Sequence, residues 1–179
     1  MTAEEGTKLW IEKMVIGLGL CPFASKVVMN NEIKFTSTKS SDLQSLTALM
    51  MQHAEHILDN DTSDTTAIIT IEKGLDSFTE YLDVIHLLED HLHAVNLDSD
   101  VQIASFHPEY QFADTQPSDI TNFTNRSPYP LIHILRCDDV AAAIENHPDI
   151  KSVPVHNMNK LTEVGKEGLA SIYSIFAKH

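Results

Sequence analysis

Apolar residues recur along the chain at two alternating spacings, near 3.6 and near 2, and the switches between them divide it into helices and strands. The first helical stripe is Leu9, Trp10, Met14, Ile16 and Leu20. Thr2 and Glu5 precede it at the spacing of a capping box, in which a hydroxyl and a carboxylate each accept from an orphan amide of the first turn. Gly17 and Gly19 loosen its end before Pro22. Ile33 to Thr38 then predicts a short strand with Ile33 and Phe35 on one face. A second stripe of Leu43, Leu46, Met50 and Ile57 opens at Ser41-x-x-Gln44 and closes in the polar tract Asp59 to Asp64. Thr66 to Ile71 is a β-branched run and the strongest strand signal in the chain. Ser77-x-x-Glu80 opens a third stripe through Phe78, Leu82, Ile85, Leu88, Leu92 and Val95. Val101 to Phe106 and Leu131 to Leu135 predict two more strands. Asp138 is placed to cap a short Ala-rich helix reaching about Asn146. Lys151 to Asn157, with Pro154, reads as a connector before a last helix marked by Leu161, Val164, Gly168, Ile172 and Ile175.

Four strands interleaved with helices bury both kinds of apolar surface only by layering helices on a sheet. The expected class is therefore α+β, a two-layer sandwich with an about four-stranded sheet and helices packed on it; the ferredoxin-like fold is one such arrangement. No repeat, low-complexity tract or linker divides residues 1–179, which suit a single domain.

Charge narrows the function. With 26 acidic against 12 basic residues, the formal net charge is −14. Such a chain repels phosphate backbones and anionic lipid heads unless it carries a basic patch, and the lysines are scattered singly. Neither nucleic acid nor a membrane is an expected partner. Two cysteines, Cys21 and Cys137, are too few for a disulfide framework and fit a reducing compartment. The apolar run Met14 to Ala24 is preceded by residues of mixed sign, unlike a secretory signal, and no run approaches the roughly 18 residues of a membrane span. A cytoplasmic location is expected.

One segment breaks the periodic pattern. His107 to Pro130 is 24 residues without helical or alternating spacing. Unstructured connections this long are uncommon in compact domains and tend to be functional or disordered. Tyr110, Phe112, Phe123 and Tyr129 argue against disorder, and Pro108, Pro117, Pro128 and Pro130 lower the entropy cost of one fixed shape. An ordered loop here serves either as a binding surface or as a cover over a sheet edge. The only two arginines, Arg126 and Arg136, lie in this loop and on the strand after it. A guanidinium fork suits carboxylate or phosphate, so an anionic small molecule is the expected ligand. Asn125, Ser127 and Tyr110 would orient it. Against this stands pairing of the arginines with Asp114, Asp119 or Asp138.

Of ten histidines, the pairs His53/His56 and His91/His93 fit solvated helix faces. His107 and His133 differ, because each lies on a strand bracketing the loop. If those strands pair, both imidazoles can reach the same side of the sheet, as general base, metal ligand or core residue. Cys21 closes the first helix, where the negative end of the dipole disfavours a thiolate. Burial is the leading reading for it and nucleophile the rival. Candidate catalytic groups are thus His107, Cys21 and His133. Two other readings stand beside the anion site. One is a metal site built from Cys21, His107 and His133; the other is a protein-docking loop using Tyr110, Phe112 and Tyr129. No phosphate-loop or dinucleotide fingerprint occurs, and no pattern assigns a cofactor.

Leu20-Cys-Pro-Phe-Ala24, Ser105-Phe-His-Pro-Glu-Tyr-Gln-Phe-Ala113 and Thr124-Asn-Arg-Ser-Pro-Tyr-Pro130 with His133-x-x-Arg136 occur in this order. In these motifs the chain resembles, over nearly its whole length, the bacterial domain-of-unknown-function family numbered fourteen-fifteen. The resemblance implies a bacterial cytosolic single-domain protein and no defined mechanism. Its hallmark positions correspond here to Cys21, Pro22, His107, Pro108, Tyr110, Asn125, Arg126, Ser127, Pro128, His133 and Arg136. Gly19 stands where the family pattern has Asn, and Cys137 where an acidic residue is usual, so a Cys21–Cys137 disulfide is not implied.

Overall fold

A computed structural model describes residues 1–59, 61–147 and 149–176. Asn60, within the expected polar turn, and residues 148 and 177–179 lie outside the described residues. Helix α1 (Ala3–Trp10) opens on the expected capping box: Glu5 N donates to Thr2 Oγ1 at 3.2 Å and Thr2 N to Glu5 Oε2 at 2.7 Å. It continues as a wider π-type turn (Ile11–Ile16) and ends at Gly19, whose φ of +67° is left-handed. Gly is the residue that most readily adopts that conformation. A short helix α2 (Ala24–Met29) follows, which hydrophobic spacing did not reveal because six residues are too few to establish a period.

The four strands fall where the β-branched runs predict them: β1 (Ile33–Thr38), β2 (Thr66–Ile71), β3 (Val101–Phe106) and β4 (Leu131–Arg136). Helix α3 (Leu43–Leu58) is capped by Asp42, which accepts from Ser45 N at 2.9 Å, rather than opening at Ser41. Ser77 caps α4 (Phe78–Ala94) as expected. Helix α5 (Cys137–Asn146) leaves β4 directly, with Arg136 at the cap position. Asp138 therefore sits inside the first turn, where its charge suits the helix dipole but caps nothing. Helix α6 (Val153–Phe176) begins in the expected connector and kinks at Gly165. Pro154 is compatible with a first turn because no intrahelical N–H is needed there.

The sheet order is β1-β2-β4-β3, with β1 parallel to β2 and the other neighbours antiparallel. The α+β sandwich of helices on a four-stranded sheet is present, with helices on both faces of the sheet rather than the single helix layer of a two-layer arrangement. The ferredoxin-like arrangement is not, because that split β-α-β unit needs a strand between its parallel pair, whereas β1 and β2 bond directly. All six residues of the inner strand β2 are buried, since helices cover both faces. On one face Leu46, Met50 and Ile57 of α3 and Ile85, Leu88 and Leu92 of α4 enclose Ile69, Ile71, Ile132 and Ile134. On the other, Trp10, Met14, Leu20, Leu161, Leu169 and Phe176 enclose Ile68 and Leu131. Among the described residues no helix is long and apolar enough to cross a membrane.

Register decides where the two histidines flanking the loop point, His133 within β4 and His107 one residue past the end of β3 rather than on it. Ile103 pairs with Ile134 and Ala104 with His133. His133 therefore shares the α1/α6 face with Leu131, while His107 lies on the α3/α4 side against Phe78 and Tyr81 of α4. The two imidazoles occupy opposite faces of the sheet, not one.

Candidate functional site

The long loop leaves β3 at Phe106 and rejoins the sheet at Leu131, which is the residue paired with Phe106. Both ends are held by one buried phenol. Tyr81 Oη donates to the Leu131 carbonyl at 2.6 Å and accepts from Phe106 N at 2.9 Å. Burial pushes the Tyr81 hydroxyl's pKa well above that of an ordinary phenol, so it remains a donor.

His107, fully buried, is saturated as a neutral imidazole. Its Nδ1 accepts from Glu109 N at 3.0 Å, which leaves Nε2–H to donate to the Leu75 carbonyl at 2.8 Å. Burial holds its pKa below the usual histidine value. With both nitrogens engaged by backbone it has no lone pair for a substrate, so its role here is to fix the loop's first turn. Asn125 and Ser127 act in the same way. Asn125 Nδ2 donates to Ser105 O at 3.3 Å, Ser127 Oγ donates to Tyr129 O, and Ser127 N closes back on His107 O at 3.4 Å.

Arg126 is an internal clamp. Its Nε donates to Tyr110 O at 3.1 Å, its Nη2 to Pro117 O at 2.7 Å, and its guanidinium lies 4.9 Å from the Phe123 ring centre. Among the described residues no carboxylate lies within ion-pair distance of it, so the rival reading, pairing with Asp114 or Asp119, does not hold for Arg126, and carbonyls take up its fork instead. Arg136 stands at the far end of β4, five residues from Leu131, or about 17 Å at strand rise. There it pairs with Asp139 at 3.4 Å. The two guanidiniums do not meet.

The aromatic residues are likewise dispersed. Tyr110 packs on Phe78 and Phe112, each 5.0 Å away between ring centres, whereas Tyr129 is buried in the α1/α6 core. Cys21 is a half-buried free thiol following Leu20. His133, half-buried on the α1/α6 face, donates from Nε2 to Thr66 Oγ1 at 2.8 Å, since that hydroxyl's own proton goes to Ile134 O. Burial lowers its pKa to about 4. Among the described residues no three His, Cys, Asp or Glu side chains converge as a metal site, and Cys21, His107 and His133 cannot, given the opposed faces.

Sequence reasoning missed two side chains that organise the region. Asn122, wholly buried, donates from Nδ2 to Gln116 O at 2.9 Å. Its Oδ1 accepts from Phe112 N at 3.0 Å and Thr115 Oγ1 at 2.9 Å. It pulls residues 112–122 into a knot whose short 3-10 turn (Ile120–Thr124) docks on α6. There Phe123 meets Tyr173 edge-on, and the Tyr173 hydroxyl donates to Arg126 O. The second is Asn157 of α6, 5% exposed, which donates to Leu20 O at 2.9 Å while its Oδ1 is buried without a partner. No periodic signal marks either residue, because both serve backbone groups.

Between the knot and α6 lies a groove of about 460 Å³. Phe112, Thr115, Asp119, Thr121 and Thr124 form the loop wall. Val153, Pro154, Asn157 and Met158 form the helix wall. Fold and loop together define an α+β sandwich that carries one long, internally braced loop. The chain belongs to the family described as protein of unknown function (DUF1415), which matches residues 2–171. No curated protein and no solved structure matches it.

Proposed function

We propose that this is a small-molecule-binding protein whose site is the groove between the 107–130 loop and the start of α6. One observation carries the reading: the polar motif residues of the loop, His107, Asn125, Arg126 and Ser127, all bind the chain's own backbone. Their collective effect is to preorganise the surface that the loop turns towards α6. Preorganisation of a loop lowers the ordering cost of binding. The groove has the size and mostly apolar lining of ligand sites, with a few fixed polar groups. Loop and helix each supply one wall, so the site depends on the loop keeping its shape.

Methionine methyl resonances provide the test, because Met158 lines the groove while Met14 and Met50 lie in the two cores. The Met158 signal is assigned by its loss in Met158→Leu. Titration with a small-fragment library is expected to move it while leaving Met14 and Met50 in place. Met158→Trp, which fills the groove, is expected to abolish those responses. A library that never moves the Met158 methyl selectively would sink the proposal.

A further inference from the structure

Apart from the Thr124 hydroxyl, the groove's polar groups share one property, that they accept hydrogen bonds and have few protons to offer. Among the described residues Asp119 is the only ionisable side chain lining it. Its Oδ1 accepts from Thr121 N at 2.9 Å and from Thr121 Oγ1 at 2.7 Å. Those two donors hold the carboxyl pKa below its ordinary value, so it stays ionised. Among the described residues its Oδ2 has no hydrogen-bond or ion-pair partner. The hydroxyl protons of Thr121 and Thr115 are both committed, the first to Asp119 and the second to Phe112 O and Asn122 Oδ1. Both hydroxyl oxygens thereby present lone pairs. On the helix wall, Asn157 spends an amide N–H on Leu20 O, and among the described residues its buried Oδ1 has no hydrogen-bond partner. Arg126, the cation of this loop, does not line the groove, and its Nε and Nη2 are engaged by carbonyls.

Resting on the groove reading, we infer that the ligand is an organic ammonium: a protonated amine on an apolar body, rather than an anion. The ammonium would sit against Asp119 Oδ2 and the Thr115 and Thr121 oxygens. The hydrocarbon or aryl body would lie against Phe112, Pro154 and Met158. The chain's net charge of −14 reinforces the choice by enriching cations near the surface. An anion would meet a carboxylate and oxygen lone pairs with no fixed cation opposite.

Three probes with one body separate the possibilities: phenylpropylamine, phenylpropanol and phenylpropionate, each titrated at neutral pH against the Met158 methyl signal. The amine is expected to bind roughly tenfold more tightly than the carboxylate, with the alcohol between them, and to weaken as salt is added. Asp119→Asn, whose amide oxygen can still accept from Thr121, is expected to weaken the amine by more than it weakens the alcohol and so to close most of the gap between them. Carboxylate binding as tight as the amine's would overturn the ammonium inference yet leave the groove reading standing. Silence of the Met158 methyl to all three would remove both.

Discussion

Replacing Arg126 by Ala deletes two charge-assisted bonds to carbonyls and a guanidinium lying over Phe123. A hydrogen bond to a charged group contributes about 1.5–3 kcal/mol, and a cation–π contact at an exposed site about 0.5–1. The fork is only half-buried, so water recovers part of the loss at the Tyr110 and Pro117 carbonyls. We expect a net destabilisation of about 2–4 kcal/mol. In a domain this size that corresponds to a fall in Tm of about 6–12 °C. Arg126→Lys should recover less than half, since an ammonium cannot reach both carbonyls as a planar fork does. Urea unfolding followed by far-ultraviolet circular dichroism gives the free energy, and limited proteolysis reports whether cutting moves to residues 112–120. A guanidinium free to grip an anion would instead be nearly dispensable to the fold. If Arg126→Ala unfolds within about 0.5 kcal/mol of wild type and its loop resists protease, the clamp assignment is wrong.

His133 gives a pH signature. Its pKa is about 4 folded against 6.5 in the unfolded chain, so only the unfolded state takes up a proton as pH falls below 6.5. Its contribution is complete above 6.5 and is lost towards pH 4, by about 2 kcal/mol after allowance for partial exposure. His133→Gln should therefore lose less stability than wild type between pH 7 and 4.5, and parallel profiles would refute this. His107 and His53, the latter buried in α3 rather than on the solvated face its spacing suggested, are also lowered by burial and act in the same direction. His107→Ala orphans Leu75 O and Glu109 N and should cost about 3 kcal/mol, with faster loop proteolysis; an unchanged urea midpoint would contradict it. Cys137, whose pKa is raised by burial and by the nearby Asp100 and Asp138, should alkylate more slowly in the native protein than in urea at pH 7.5. Equal rates would count against that.

Strand positions were legible because β-branched runs such as Thr66–Ile71 leave little alternative. The face each strand residue takes was not. Alternation orders residues within a strand, but a one-residue difference in pairing exchanges faces, and that placed His107 and His133 apart. Order in the 107–130 loop was readable from its prolines and aromatics. The use of its polar residues was not, because Arg126 and Asn122 bind carbonyls and amides, which every residue carries and no spacing reveals. Asn157 was hidden by Pro154, which reads as a breaker yet stands in the first turn of α6.

The Tyr81 hydroxyl, bonded at once to Phe106 and Leu131, fixes the separation of the loop's two roots through a single oxygen atom. Neither root can swing without breaking that junction or the strand pair beside it. Motion of the loop is thereby confined to its crown, residues 112–124, where the bonds are those of Asn122, Asp119 and Arg126. With its roots fixed and its crown braced, the loop keeps one shape, and the Phe106 amide is expected to exchange its hydrogen only on the timescale of global unfolding.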